Sequence, residues 1–295
     1  MAKRFGEILT DSWKEYKDNW KVYTKMLLLL SFIPALIVFL IEILLMRDIL
    51  FNVITSTLSP SLIFTPRFFL FMLLGIITAV LTVWLQASLI YNSIYRKKSM
   101  NVKDSLSGGK KYFWKLLGLT LLILIIFFAI AIIVGIIVGI GVLIIIALTI
   151  TNIVSLLIIL ILFLLVIAAI LYAIYLGIKW TFSVYILIGE NKGIIDSLKV
   201  STRLVKGRWW KTLGYLSLFG LIILGIYIIY AIIILIINYA INPNYFSNPL
   251  VLDINRYIAT QFISLILNFI LASIITPFSI VFIKNLYNNW KSSKK

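Results

Sequence analysis

Apolar residues in this chain come in long unbroken runs, not with the period of two or 3.6 that marks a half-buried strand or a surface helix. Lys and Arg are confined to the short stretches between those runs. A helix crosses about 30 Å of hydrocarbon in about 20 residues, so an uncharged apolar run of about 18 or more is a candidate span. The runs predict six transmembrane helices, near residues 26–46, 68–92, 116–147, 153–178, 212–238 and 257–283. About twenty Leu, Ile, Val or Phe residues per span, at roughly −0.3 to −0.6 kcal/mol each, give an insertion free energy on the order of −6 to −12 kcal/mol. Continuous runs exclude a transmembrane barrel, whose strands alternate. The first run begins only at Met26, behind an amphipathic segment and without a small-residue cleavage site, so it reads as a retained span.

Residues 116–178 hold no charge and could form two long spans or three short ones. Loop charge decides for two, divided by a hairpin at Thr149, Thr151 and Asn152. With that division Lys and Arg number six before the first span, seven between Arg96 and Lys115, seven between Lys179 and Lys211, and four after the last span. The opposite side keeps only Arg47, Arg67 and Arg256. The positive-inside rule then places both termini and the large basic loops in the cytoplasm of a multi-pass cell-membrane protein. Three spans would put seven basic residues outside. Seven of the eight Trp (Trp13, Trp20, Trp114, Trp180, Trp209, Trp210 and Trp290) flank the basic segments, where indole rings favour the headgroup level; Trp84 is the exception.

Composition agrees and narrows the chemistry. The chain of 295 residues is 62% hydrophobic and 13% charged, with a net charge of +17. In a soluble protein that charge would point to nucleic acid; clustered between apolar runs, it points to a bilayer with anionic headgroups and to no nucleic-acid partner. There is no Cys, which removes disulfides and thiol chemistry, and no His, the commonest general base and metal ligand. No phosphate loop, nucleotide fingerprint, zinc spacing or nucleophile elbow is present. The expectation is a chain without catalytic residues, metal ligands or a cofactor.

The segments before the odd-numbered spans share a layout: Asp-Ser-apolar, an amphipathic stretch, then Trp-Lys as the span begins. The instances are Asp11-Ser12 with Trp20-Lys21, Asp104-Ser105 with Trp114-Lys115, and Asp196-Ser197 with Trp210-Lys211. Ser88, Ser183 and Ser279 recur with the same spacing. Such self-similarity marks a repeated unit, here an interfacial helix plus a two-span hairpin, with units at 1–95, 96–190 and 191–295 inside one transmembrane domain. The predicted fold is therefore all-α: three hairpins with amphipathic interfacial helices on the cytoplasmic side. Each Asp is expected to cap its helix start and complement the dipole.

In the third unit an Asn191-Lys192-Gly193 turn leads into a helix on which Ile195, Leu198, Thr202 and Val205 share one face, while Lys192, Lys199, Arg203 and Lys206 line another. Arg208 and Lys211 continue the charge, and Lys110 and Lys111 supply it in the second unit. An apolar face with Lys and Arg opposite suits the membrane interface, each basic residue contributing about 1 kcal/mol near anionic headgroups. Trp20, Trp114, Trp209 and Trp210 are the expected anchors.

This stretch, KWTFSVYILIGENKGIIDSLKVSTRLVKGRWWKTLGY from Lys179 to Tyr215, resembles the glycerophosphoryl diester phosphodiesterase membrane-domain family and related six-span prokaryotic membrane proteins. The resemblance implies a six-span fold and a membrane location. It implies no activity, because members with the phosphodiesterase name carry catalysis in a separate soluble module for which this chain has no room, and that module's acid–base chemistry finds no His here.

Within the spans, Thr78, Thr82 and Gln86 form one polar stripe; Ser264, Asn268 and Thr276, with Gln261 beside them, form another. Both are expected to face protein, as interhelical hydrogen bonds or as ligands on a solute path. Ala131, Gly135 and Gly139 give a small-xxx-small stripe for close packing, within the chain or between copies, and the Gly108-Gly109 pair reads as a turn. Glu42 sits near the outer end of the first span, within reach of Arg47. The functional expectation is a non-enzymatic membrane protein whose basic interfacial helices engage anionic lipid or recruit a protein partner or second copy. The alternative is a transporter or permease component for a small or amphipathic solute.

Overall fold

The computed structural model describes residues 3–54, 66–95, 101–147, 153–241 and 254–293. These form α1 (Phe5–Leu27), a π-helical turn (Leu28–Phe32), α2 (Ile33–Ile54), α3 (Pro66–Tyr95), α4 (Val102–Ala147), α5 (Ile153–Trp180), α6 (Ser183–Gly189), α7 (Ile194–Val205), α8 (Trp209–Ile241) and α9 (Ile254–Ser292). Six helical stretches among the described residues are long and apolar enough to cross a membrane: Phe5–Leu44, Phe69–Tyr95, Val102–Ile146, Leu156–Gly189, Trp209–Ile241 and Ile258–Ser292. The fold is thus all-α, with six candidate spans, and the uncharged stretch 116–178 supplies two of them. The hairpin residues Thr149, Thr151 and Asn152 lie outside the described residues, as does the side chain of Arg47.

The lead-in segments join their spans differently from one another. α1 runs without a break through Trp20 and Lys21 into the π-turn, which ends one residue short of Pro34. A ring without an N–H disfavours the regular i to i−4 ladder, and a wider turn accommodates it. α4 is one helix of 46 residues that carries Asp104-Ser105 and Trp114-Lys115 together. At 1.5 Å per residue it is about 69 Å long, far more than a bilayer core requires. Gly108 and Gly109 are therefore helical positions and not a turn. Only the third lead-in, α7, is a separate helix, set off from α8 by a turn in which Gly207 takes a left-handed φ of 79°.

The caps also differ from expectation. α4 is capped by Asn101, whose side-chain oxygen accepts from the Asp104 N–H at 2.9 Å. α7 starts after Gly193. Asp104 and Asp196 occupy first turns, where they complement the dipole, but Asp11 lies mid-helix and takes a 2.7 Å bond from Lys3. That bond, with the charge of Asp11 behind it, raises the pKa of the Lys3 ammonium above its ordinary value.

The chain divides into two compact units, one built from residues 1–113 and 214–295 and the other from Trp114–Leu213. In the first, α1 lies antiparallel along the last half of α9. The Lys3 N–H donates to Asn289 Oδ1 at 2.9 Å, and Asn285 Nδ2 donates to Ser12 Oγ at 3.0 Å. Pro277 leaves the carbonyl of Ser273 without its helical donor, and the Tyr16 hydroxyl supplies one at 3.3 Å. Tyr23, Met26, Leu89, Phe282 and Leu286 are fully buried there. The end of α3 meets the start of α4, where Trp84 Nε1 donates to the Leu106 carbonyl at 3.1 Å and Asn92 Nδ2 to Ser105 Oγ at 2.7 Å.

In the second unit α5 breaks at Thr181-Phe182 and continues as α6, which packs against α7. Ser201 ties the break down: its hydroxyl donates to the Lys179 carbonyl at 2.7 Å and accepts from the Phe182 N–H at 3.2 Å. The α6–α7 turn places Asn191 in the left-handed region, and Lys115 donates to its side-chain oxygen at 3.0 Å.

Candidate functional site

α7 is strongly two-sided. Its buried face is Ser197, Leu198, Ser201, Leu204 and Val205, which differs from the stripe of Ile195, Leu198, Thr202 and Val205 read from spacing. The shift of about one position follows from packing: small serines at 197 and 201 let α7 lie close against α5 and α6, and Ile195 is turned out, 60% exposed. On the opposite side Lys199, Arg203 and Lys206 are exposed. Lys211 is exposed one turn into α8, and Arg208 is half-buried between them. Lys192 is part of the turn instead, paired with Glu190 at 3.0 Å. Lys110 and Lys111 are exposed and belong to the other compact unit.

Two clefts open on this face of α7. One, of about 490 Å³, is lined by Trp180, Ile195, Leu198, Lys199, Thr202 and Arg203. The other, of about 250 Å³, shares Thr202 and Arg203 and adds Tyr175, Lys179, Lys206 and Trp209. Lys179 lies over the ring of Tyr175, 4.1 Å from its centroid. Trp209 spends its Nε1–H on the Tyr175 carbonyl at 3.4 Å and stands at right angles to Trp210, so it is a fixed wall, not a free anchor. Trp210 and Trp114 are 77% and 76% exposed, and Trp20 is about half exposed, as anchors would be. Trp290, placed with the interfacial Trp by its position in sequence, is buried and stacked on Tyr215.

Lys179 and Tyr175 were not singled out by the sequence, where Lys179 counted only as one more loop charge. Their spacing of four on a helix was the available signal, since it puts a cation over a ring.

The polar stripes are placed differently from expectation. Thr82, Gln86, Gln261 and Asn268 are exposed on the surface of the chain, while Thr78 and Ser264 are half-buried. The Thr78 and Thr82 hydroxyls donate to carbonyls of their own helix, Leu74 and Thr78, at 3.0 and 2.8 Å. A hydroxyl satisfied four residues back has no need of a partner helix. In α4 a Cβ built on Gly135 or Gly139 meets nothing within 4 Å among the described residues, and Ala131 is exposed. Close approach occurs at Gly141 instead, against Leu162.

A family model described as Domain of unknown function (DUF7847) matches residues 27–287, which include the π-turn, every described helix from α2 to α8, and α9 as far as Tyr287. Comparison with curated proteins and with solved structures finds no match.

Proposed function

The chain belongs to the family described as Domain of unknown function (DUF7847), and from the two-sidedness of α7 we propose that the protein is a non-enzymatic component of the cell membrane that engages anionic lipid headgroups through the basic face of that helix. Both termini and the basic loops face the cytoplasm in this reading, supported by the lopsided distribution of Lys and Arg between the two sides of the spans. The likeness of Lys179–Tyr215 to the glycerophosphoryl diester phosphodiesterase membrane-domain family supports the membrane location and nothing catalytic.

The observation that carries the reading is the division of α7: serines and aliphatics buried on one side, Lys199, Arg203 and Lys206 exposed on the other, with Trp210 standing out beside them. At about 1 kcal/mol for each basic residue near an anionic surface, three cations favour that surface by about 3 kcal/mol, two orders of magnitude in occupancy. The Debye length shrinks from about 10 Å at 0.1 M salt to about 3 Å at 1 M, so this attraction is screened at high salt.

The test is lipid retention. Full-length protein is extracted from membranes of mixed neutral and anionic lipid, and the retained lipid is quantified by mass spectrometry at rising salt. Anionic lipid should be enriched at about 0.1 M salt and lose its enrichment toward 1 M. Equal retention of neutral and anionic lipid at low salt would end the proposal.

A further inference from the structure

We propose that the exposed face of α1 is a docking surface for an acidic amphipathic helix of a water-soluble protein, on the same side of the membrane as the N-terminus. From Trp13 to Lys25 the exposed residues are Trp13, Trp20, four lysines and Asp18. Lys14, Lys17, Lys21 and Lys25 follow one another at spacings of three and four, which sets them in one row along the helix. The row lies opposite the face that buries Ile8, Ser12, Tyr16 and Tyr23. The two indoles border it, Trp13 38% exposed and Trp20 48%. Trp13 is fixed in place: its ring meets that of Phe278 edge-on at 5.4 Å, and the Lys17 ammonium lies 5.4 Å from its centroid.

Height above the bilayer decides against lipid as the occupant. α1, the π-turn and α2 pack in succession along the one helix α9: Ser12 meets Asn285, Phe32 meets Phe269 at 4.6 Å, and Phe39 meets Phe262 at 6.0 Å. α1 thus continues the line of the first span and does not turn to lie along the membrane surface. The apolar run begins at Met26, so at 1.5 Å per residue Lys17 is about 14 Å beyond it, Lys14 about 18 Å and Trp13 about 20 Å. The headgroup layer on each side is about 5 to 8 Å deep. Lys21 and Lys25 lie at the headgroups, whereas Lys17, Lys14 and Trp13 rise above them into water.

The residues in water call for a different counterpart. An aromatic anchor bordered by charge is the composition of a protein interface, and Trp is enriched among the residues that dominate binding. Four lysines to one aspartate select an acidic partner. Cations at spacings of three and four match carboxylates at the same spacing on a second helix laid alongside, with an apolar residue of that helix against Trp13. This inference does not draw on α7, so lipid engagement there and protein docking here can fail separately.

The experiment uses the full chain in the membranes of the cells that naturally make it. A photoreactive benzoylphenylalanine replaces Thr10, which is exposed on the same face one turn beyond Trp13 and Lys14. Irradiation should give one discrete protein adduct whose mass differs from twice that of the chain. Its cross-linked peptide, sequenced by mass spectrometry, should carry Asp or Glu recurring at three and four residues. Lys14→Glu combined with Lys17→Glu should lower the adduct about tenfold, since two exposed pairs become like-charge contacts, and the same two positions changed to Arg should preserve it. No adduct at Thr10, or an adduct with lipid alone, overturns the protein partner. An adduct of twice the chain mass makes the occupant a second copy and overturns it as well. A cross-linked segment without carboxylates overturns the acidic assignment, as does a yield that charge reversal leaves unchanged. The adduct of the chain with native lysines decides all but the last of these, so a misfolded variant cannot obscure them.

Discussion

The ammonium of Lys284 on α9 donates to the carboxylate of Glu15 on α1, and both side chains are nearly withdrawn from solvent. Neither charge is left with the other alone. Lys284 also donates to the Ser93 carbonyl at 3.3 Å, and the second carboxylate oxygen of Glu15 accepts from Asn285 Nδ2 at 3.3 Å. The pair therefore joins α1, α3 and α9 at one point of the first compact unit.

Removing one partner should cost far more than removing both. Lys284→Met leaves the Glu15 carboxylate with only the half-buried Asn285 amide, and a broken buried pair costs about 3 to 5 kcal/mol. The residual exposure of the side chains, 10% for Lys284 and 16% for Glu15, places the loss toward the lower end of that range. The double change Glu15→Gln with Lys284→Met should recover more than half of it. Thermal melts in detergent measure the four corners of the cycle, and purely additive losses would show that the two residues are not coupled.

Gly109 makes a second, more local demand. A Cβ there would lie 2.6 Å from the backbone N and Cα of Ser88, atoms that cannot rotate away. Gly108 faces the ring of Tyr91, which can turn. Gly109→Ala should therefore destabilise by about 1 to 3 kcal/mol, and more than Gly108→Ala. Gly214→Ala is the control: its Cβ meets nothing within 4 Å, and in a helix the change should stabilise by up to about 1 kcal/mol. A Gly109→Ala melt equal to that of the native chain would refute the close contact of α3 with α4.

These two features show where the sequence was readable and where it was not. Span number and helix type follow from uncharged length alone, so the six stretches were legible. What the polar residues do depends on which helix lies beside them, and spacing along one helix does not report that. Nothing in the spacing therefore paired Lys284 with Glu15, and Gly108-Gly109 read as a turn. The Asp-Ser positions fall between these cases. Ser12, Ser105 and Ser197 are all fully buried, each donating to the carbonyl four residues earlier, at 2.6, 2.9 and 2.6 Å. The pattern located them, but the amides that meet Ser12 and Ser105 come from other helices, Asn285 on α9 and Asn92 on α3. At the candidate site the cations of α7 were legible as a charge pattern. Lys179 was not, because its role needs the bend at Thr181-Phe182 that brings the end of α5 against α7.

Orientation can be tested on a background with no native Cys. Ser201 is a poor probe position, since it is fully buried and bonded to Lys179 and Phe182. Lys206, exposed at the end of α7, is a better one. Lys206→Cys in intact cells should react with a membrane-impermeant maleimide only after the membrane is opened. Labelling of sealed cells would invert the proposed topology and place the basic face of α7 outside.

The exposed mid-span polar residues separate the lipid-engaging reading from transport. A solute path needs its polar groups enclosed, where displaced hydration is replaced by protein ligands. Gln86 and Asn268 are instead exposed on the surface of the chain, and the neighbouring Thr82 hydroxyl is satisfied by its own helix at 2.8 Å. Replacing Gln86 and Asn268 by Leu should thus leave the solute permeability of reconstituted liposomes at the native level. Stability should change little or rise slightly, because a Leu facing hydrocarbon is favoured over an amide by the insertion energetics that hold the spans in place. Flux of a small or amphipathic solute that is present in the native protein and abolished by the paired substitution would instead mark these side chains as ligands on a path, and would move the function from engaging lipid to carrying solute.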